Sequence, residues 1–179
     1  WNKFASSHRV AFITIPFEDV VGQIFKDISP SYMGVMLKRL MIIAAERVAK
    51  DMKIDALMTG ESVAQVSSQT LRNLSLIDSA SDILILRPLA MMSKPDIIDI
   101  ATKIGTKKFA EAMPEYCGVI SQHPVTAGSF DRVEKEAKNF DYTILEEAIK
   151  NAKIKNIDEV LDDVCEVGTL EVVNSVAKN

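Results

Sequence analysis

The chain has 179 residues, 47% of them hydrophobic and 26% charged, with a formal net charge of -4. That length suits one domain with a sizeable core and a short appended element, and the balance of residues excludes both a disordered and a membrane class. The longest apolar run, around Leu40 to Ala45, is far short of a bilayer span, and the acidic balance argues against a broad basic surface for nucleic acid.

In chain order, Val10 to Ile15 is β-branched and aromatic and reads as a buried strand ended by Pro16. From Gly34 to Lys53, apolar residues recur at Leu37, Leu40, Met41, Ala44 and Val48, with Lys38, Glu46 and Lys50 off the stripe, which predicts a helix. Ala56 to Met58, closed by Thr59-Gly60, reads as a central parallel strand, and a helix is predicted over Gln65 to Ile77. Ile83 to Leu86 predicts a third buried strand, stopped at Arg87-Pro88. Ser93 offers an N-cap, Pro95 suits the first turn, and Ile97, Ile100, Ala101 and Ile104 form a helical stripe ended by Gly105. Ser129 to Ala152 is charged and helical, and the acidic tail from Asp158 holds a possible strand at Thr169 to Val173. Strands alternating with helices at this spacing predict an α/β fold, a parallel sheet with helices on both faces. The domain expected is residues 1–160, with 161–179 as a tail.

Parallel sheets bind ligands beyond the carboxyl ends of their strands, which selects Thr59-Gly60-Glu61 and Arg87-Pro88-Leu89. Gly60 suits either the close approach of a ligand or a tight turn, and Glu61 either orients a polar group or is solvated. Gln65 to Thr70 packs five polar residues into six, as a ligand-facing segment or a capping region would. Lys94 lies in the first turn of a helix, where its charge opposes the dipole; free amides and a lysine suit a phosphate, although a solvated lysine fits the same pattern. Cys117, between Pro114 and Gly118, is a thiol presented on a loop. Two cysteines, Cys117 and Cys165, are too few for a disulfide scaffold and point to a reducing, cytoplasmic setting. His8 and His123 lack a metal-ligand spacing, and no metal site is indicated.

Six ordered segments closely resemble the tRNA 4-thiouridine synthetase family, the tRNA sulfurtransferases. They are Ser7 to Val10, Met33 to Arg39, Thr59 to Glu61, Gln65 to Thr70, Ile85 to Leu89 and Pro114 to Ser121. The resemblance implies a Rossmann-like PP-loop ATP pyrophosphatase fold that adenylates a tRNA uridine and exchanges the activated oxygen for sulfur. It implies ATP with Mg2+, tRNA and a cysteine desulfurase as persulfide donor, and leaves open a homodimer and a second role in thiamine biosynthesis. By the same resemblance Cys117 and Lys94 match essential residues, and Lys38, Gly60 and Gln69 match nucleotide positions. The chain departs from the family in several features, the lack of the upstream RNA-binding region that would meet tRNA among them. The Ser-Gly-Gly-x-Asp-Ser phosphate loop is not present, so the fold is expected to be incomplete on its N-terminal side. Ala64 stands where a glycine is usual, which is expected to tighten that turn. Without the phosphate loop this chain alone is expected to be inactive, and its start at Trp1 is what a fragment or processed piece would show. The rival readings are a non-catalytic PP-loop module that binds a nucleotide or partner and, less compatible with the Cys117 loop, an amide-forming synthetase.

Overall fold

The computed structural model of the chain describes residues 10–112, 120 and 123–156. The chain divides into two compact units, Trp1–Gly22 with Tyr142–Asn179, and Gln23–Asp141.

In the first unit, β1 (Ala11–Thr14) pairs antiparallel with β4 (Lys153–Asn156), with Ala11 opposite Asn156 and Thr14 opposite Lys153. The predicted strand therefore forms, but as an antiparallel ribbon rather than a member of the parallel sheet, and three of its four residues are exposed. A two-stranded ribbon has two open faces, so β-branched composition alone does not bury it. A helix of this unit, α7 (Tyr142–Lys150), buries Leu145 and Ala148.

The second unit begins inside α1 (Glu18–Asp27), a helix with Glu18 and Asp19 in its first turn and Lys26 in its last, each placed to favour the helix dipole. Next comes α2 (Met33–Asp51), the long helix at the centre of the unit. Instead of one apolar stripe it buries two, Met33, Met36, Leu40 and Ala44 on one side and Val35, Arg39, Ile42, Glu46 and Ala49 on the other. Met41, expected inside, is exposed, and Glu46, expected outside, is buried with its charge met by Lys50 at 2.8 Å. The reason is that α2 packs against β2 (Ala56–Met58), α3 (Leu71–Asp78) and α6 (Phe130–Ala137), so it is enclosed from more than one direction.

β2, α3 and β3 (Leu84–Leu86) make a βαβ unit whose strands pair in parallel, Ala56 opposite Leu84 and Met58 opposite Leu86. This bears out the parallel α/β reading. Met58, Leu84 and Leu86 are nevertheless exposed, because no described element covers that face of the pair. The predicted helix over Gln65 to Ile77 is corrected to a single 3-10 turn at Ser67–Gln69 followed by α3, because Thr70 is extended and caps α3 through its hydroxyl. α4 (Lys94–Ile104) starts and stops as predicted, with Ser93 as N-cap and Gly105 at φ 79° closing it. Its apolar stripe remains open, with Ile100 and Ile104 exposed, and the short α5 (Lys107–Ala112) that follows buries no residue either.

Candidate functional site at the strand ends

The charged residues that follow β2 and β3 converge. Thr59 N–H donates to Leu86 O at 3.0 Å, which extends the parallel pairing one step past β2 and brings the two strand ends together. Glu61 then sits between two cations. Its Oε1 accepts from Lys38 Nζ of α2 at 2.6 Å, and its Oε2 accepts from Arg87 Nε at 2.8 Å and from Thr59 Oγ1 at 3.1 Å. Arg87 is fixed in turn by Asp78, at the end of α3, through Nη1 at 3.0 Å and Nη2 at 2.5 Å. The Glu61 and Arg87 side chains are 12% and 11% exposed and Lys38 is 23% exposed, so the inner pair is largely withdrawn from water.

Burial pushes the Glu61 carboxyl up, but its hydrogen bonds to Lys38 and Arg87 and their charges outweigh this, holding it below the usual carboxylate range. Arg87 is treated the same way with opposite sign: burial lowers it, and Asp78 and Glu61 more than restore it. The result is an alternating chain of four charged side chains, Lys38, Glu61, Arg87 and Asp78.

The loops beyond the strands are stitched to each other. Val63 N–H donates to Ala90 O, and the buried Ser62 hydroxyl donates to Met92 O, both at 3.0 Å. Met92 immediately precedes Ser93 and α4, so this stitch places the start of α4, with Lys94, alongside the loop that carries Gly60 and Glu61. Ser93 Oγ accepts from Asp96 N–H at 3.4 Å and Pro95 has no N–H, so the first turn offers fewer free amides than the sequence reading supposed. What Lys94 contributes there is its exposed ammonium.

The third part is the turn from Ala64 to Thr70. Ala64 lies at φ 63°, in the left-handed region, and its N–H donates to Gln69 O at 3.0 Å. The residue in the glycine position therefore strains the turn; the expected tightening is replaced by a left-handed backbone that an alanine adopts at a cost. Gln69 Oε1 is buried and has no hydrogen-bond partner among the described residues. A Cβ on Gly60 would meet nothing within 4 Å among the described residues, so none of them requires a glycine there.

Behind this turn stands Asn73, fully buried in α3. Its Nδ2 donates to Ser67 O at 2.7 Å and to Val125 O at 2.8 Å, and its Oδ1 accepts from Gly128 N–H at 3.1 Å. Thr70 Oγ1 donates to Thr126 O at 2.7 Å, and Arg72 Nε donates to Gly128 O at 2.9 Å. The segment 125–128 is thus held on the turn that presents Gln69. Gly128 permits the approach, because a Cβ there would lie 2.6 Å from Leu76 Cδ1.

The structure therefore groups Lys38 with Gly60, through Glu61, and brings the start of α4 to the same loop. Gln69 lies on the adjoining turn. Cys117, Cys165, His8 and the expected strand at Thr169 to Val173 lie outside the described residues. Sequence reasoning missed the Arg87–Asp78 clamp and the Asn73 hub. The first was detectable as a charge directly after a predicted strand; the second had little local signal, since two of its three partners are 52 and 55 residues away. Among the described residues no group of three His, Cys, Asp or Glu side chains could hold a metal ion, so the Mg2+ expected with ATP finds no protein-built cage there. No helix among them is long and apolar enough to cross a membrane.

An α/β unit with a charged cluster at parallel strand termini is the class of protein these features define. Comparison with known proteins makes it specific. The family model described as thiamine biosynthesis protein (ThiI) matches residues 1–142, and the chain belongs to that family. It is similar to the tRNA sulfurtransferase of Saccharophagus degradans, 53% identical over 98% of this chain and 36% of that protein. It is also similar to the tRNA sulfurtransferase of Azotobacter vinelandii, 55% identical over 97% of this chain and 36% of that protein. Among solved structures, a 4-thiouridine synthetase in complex with RNA and bound ATP matches with a TM-score of 0.81 and 28% identity, over 87% of this chain and 42% of that one. The chain thus spans about a third of the length of the curated relatives it matches.

Proposed function

We propose that this chain carries the sulfur-handling residues and part of the nucleotide-handling surface of an ATP-dependent tRNA sulfurtransferase that forms 4-thiouridine. The observation that carries this reading is the cluster at the carboxyl ends of β2 and β3, where Lys38, Gly60 and the start of α4 with Lys94 come to one pair of stitched loops. A nucleotide laid across the strand ends meets the Lys38 ammonium and the open space beside Gly60, and the buried carbonyl of Gln69 is available to a donor of the base or ribose. The uridine oxygen attacks the α-phosphorus with loss of pyrophosphate, and Lys94 offsets the charge that develops on the phosphate. The terminal sulfur of a persulfide that a cysteine desulfurase has placed on Cys117 then attacks the activated carbon and AMP leaves. A second thiol cleaves the resulting Cys117–S–S–base link, freeing the thiouridine and becoming the disulfide partner of Cys117. The same sulfur chemistry serves thiamine biosynthesis if the persulfide is passed to a second acceptor. A cytoplasmic setting fits a sulfur-handling cysteine that is needed reduced.

The test is thiolation of tRNA by the full-length gene product with ATP and a persulfide donor. Cys117→Ser should abolish 4-thiouridine while ATP binding is kept, because a hydroxyl preserves shape and cannot carry a persulfide; Cys165→Ser should be nearly silent. The reverse pattern would assign sulfur transfer to the other cysteine. A protein that binds ATP but releases no pyrophosphate and forms no 4-thiouridine would return the chain to the non-catalytic module reading.

A further inference from the structure

Two of the three residues assigned above to the nucleotide are joined by a residue with no role so far. Glu61 follows Gly60 in the chain and accepts a hydrogen bond from Lys38. A lysine is a point charge on a flexible four-carbon stem, so a ligand that must first immobilise it binds more weakly. Here the ammonium is fixed beforehand at 2.6 Å from Glu61 Oε1. A carboxylate can hold a cation still only if it is itself held, and Glu61 Oε2 is held by Arg87 Nε and Thr59 Oγ1, with Arg87 clamped through two hydrogen bonds to Asp78. Of the inner three, Lys38 is the most exposed, at the outer end of the chain of charges. An ammonium has three donors, and among the described residues Glu61 takes one of them.

We propose that Glu61 is a positioning residue for the nucleotide: its carboxylate, anchored by Arg87 and Thr59, presents the Lys38 ammonium beside Gly60 at the carboxyl end of β2. This rests on the assignment of Lys38 to the nucleotide. Standing alone, a carboxylate at this point would repel a polyphosphate; matched by two cations, it organises the cluster instead.

The experiment measures the ATP dissociation constant of the full-length gene product by calorimetry, together with its unfolding midpoint, for the wild type, Glu61→Gln, Lys38→Met and the double variant. Positioning predicts that Glu61→Gln weakens ATP binding about tenfold in the wild-type background, and less than about twofold where residue 38 is already methionine. An equal loss in both backgrounds overturns the proposal, because Glu61 would then support the fold without acting through Lys38. If Lys38→Met alone leaves the affinity unchanged, the assignment of Lys38 is wrong and the proposal falls with it, a result read from the single variant. Glu61→Asp keeps the charge but is one methylene too short to reach both cations, so its affinity should fall between wild type and Glu61→Gln. Should Glu61→Gln fail to fold, the same cycle with Glu61→Asp applies the same criterion.

Discussion

Replacing Asn73 tests the packing that holds the candidate site together. Its amide satisfies two carbonyls, of Ser67 and Val125, and one N–H, of Gly128, at a position with no solvent exposure. Asn73→Ala leaves three backbone groups without these partners. Each buried polar group so orphaned costs about 1–3 kcal/mol, and partial relaxation makes the sum smaller than three times that, so the loss should be roughly 3–5 kcal/mol. Asn73→Asp is the sharper variant. It keeps an acceptor for Gly128 N–H but turns an oxygen towards the Ser67 and Val125 carbonyls, converting two attractions into repulsions. At neutral pH it should be at least as destabilised as the alanine variant. As pH falls it should recover relative to wild type, because a protonated carboxyl donates one hydrogen bond again. Urea unfolding followed by far-ultraviolet circular dichroism, at pH 7.5 and pH 5, measures both effects. An Asn73→Ala loss below about 1 kcal/mol, or an aspartate variant that outlasts alanine at pH 7.5, would refute the hub argument.

Three further outcomes are expected. Ala64→Gly should stabilise the chain by about 1 kcal/mol in the same assay, since it removes the strain of a left-handed alanine, less the extra freedom glycine has when unfolded. Burial pushes Glu136 up, but hydrogen bonds from Ser29 and the Arg132 charge bring it below the usual carboxylate range. Its folded pKa lies under the unfolded one, so the stabilisation is complete above about pH 4.5 and is lost as pH falls through the folded value, and Glu136→Gln should flatten this acid-side slope of an unfolding titration. In the full-length gene product Lys94→Ala should slow adenylation severely in a pyrophosphate-release assay while the melting temperature stays level or rises, the gain from relieving the dipole being at most about 1 kcal/mol; a marked fall in stability would make Lys94 structural.

Elements defined by local signals were legible in the sequence. Ser93, Pro95 and Gly105 delimit α4 by chemistry that acts within a few residues, and the apolar runs at Ala56 and Leu84 became the two parallel strands. Partnership was not legible in the same way. The strand at Ala11 was recognisable, but its antiparallel partner Lys153–Asn156, with one apolar residue between lysines, was not, because pairing is decided across more than a hundred residues. Glu46 read as a surface charge, since periodicity reports one face of a helix and α2 is covered on two. At the site, the position of Glu61 after a strand was readable, while its two cations come from α2 and from beyond β3 and are joined only by the fold.

The long-range ties around α2 and α3 also bear on how fast the chain comes apart. Arg39 reaches Leu76 O, Ser79 and Glu134, and Ser29 reaches Glu136 with a backbone and a side-chain donor, across separations of 37 to 107 residues. Contacts so distant in sequence carry a larger loop-closure cost than the local helices and the βαβ pairing, so they are expected to form later. Interactions made late are largely absent from the folding transition state, so they leave the folding rate nearly unchanged and act on the reverse step. The buried arginine and glutamate therefore work as brakes on unfolding, and the lifetime of the arrangement at the strand ends is set by polar groups that lie outside it.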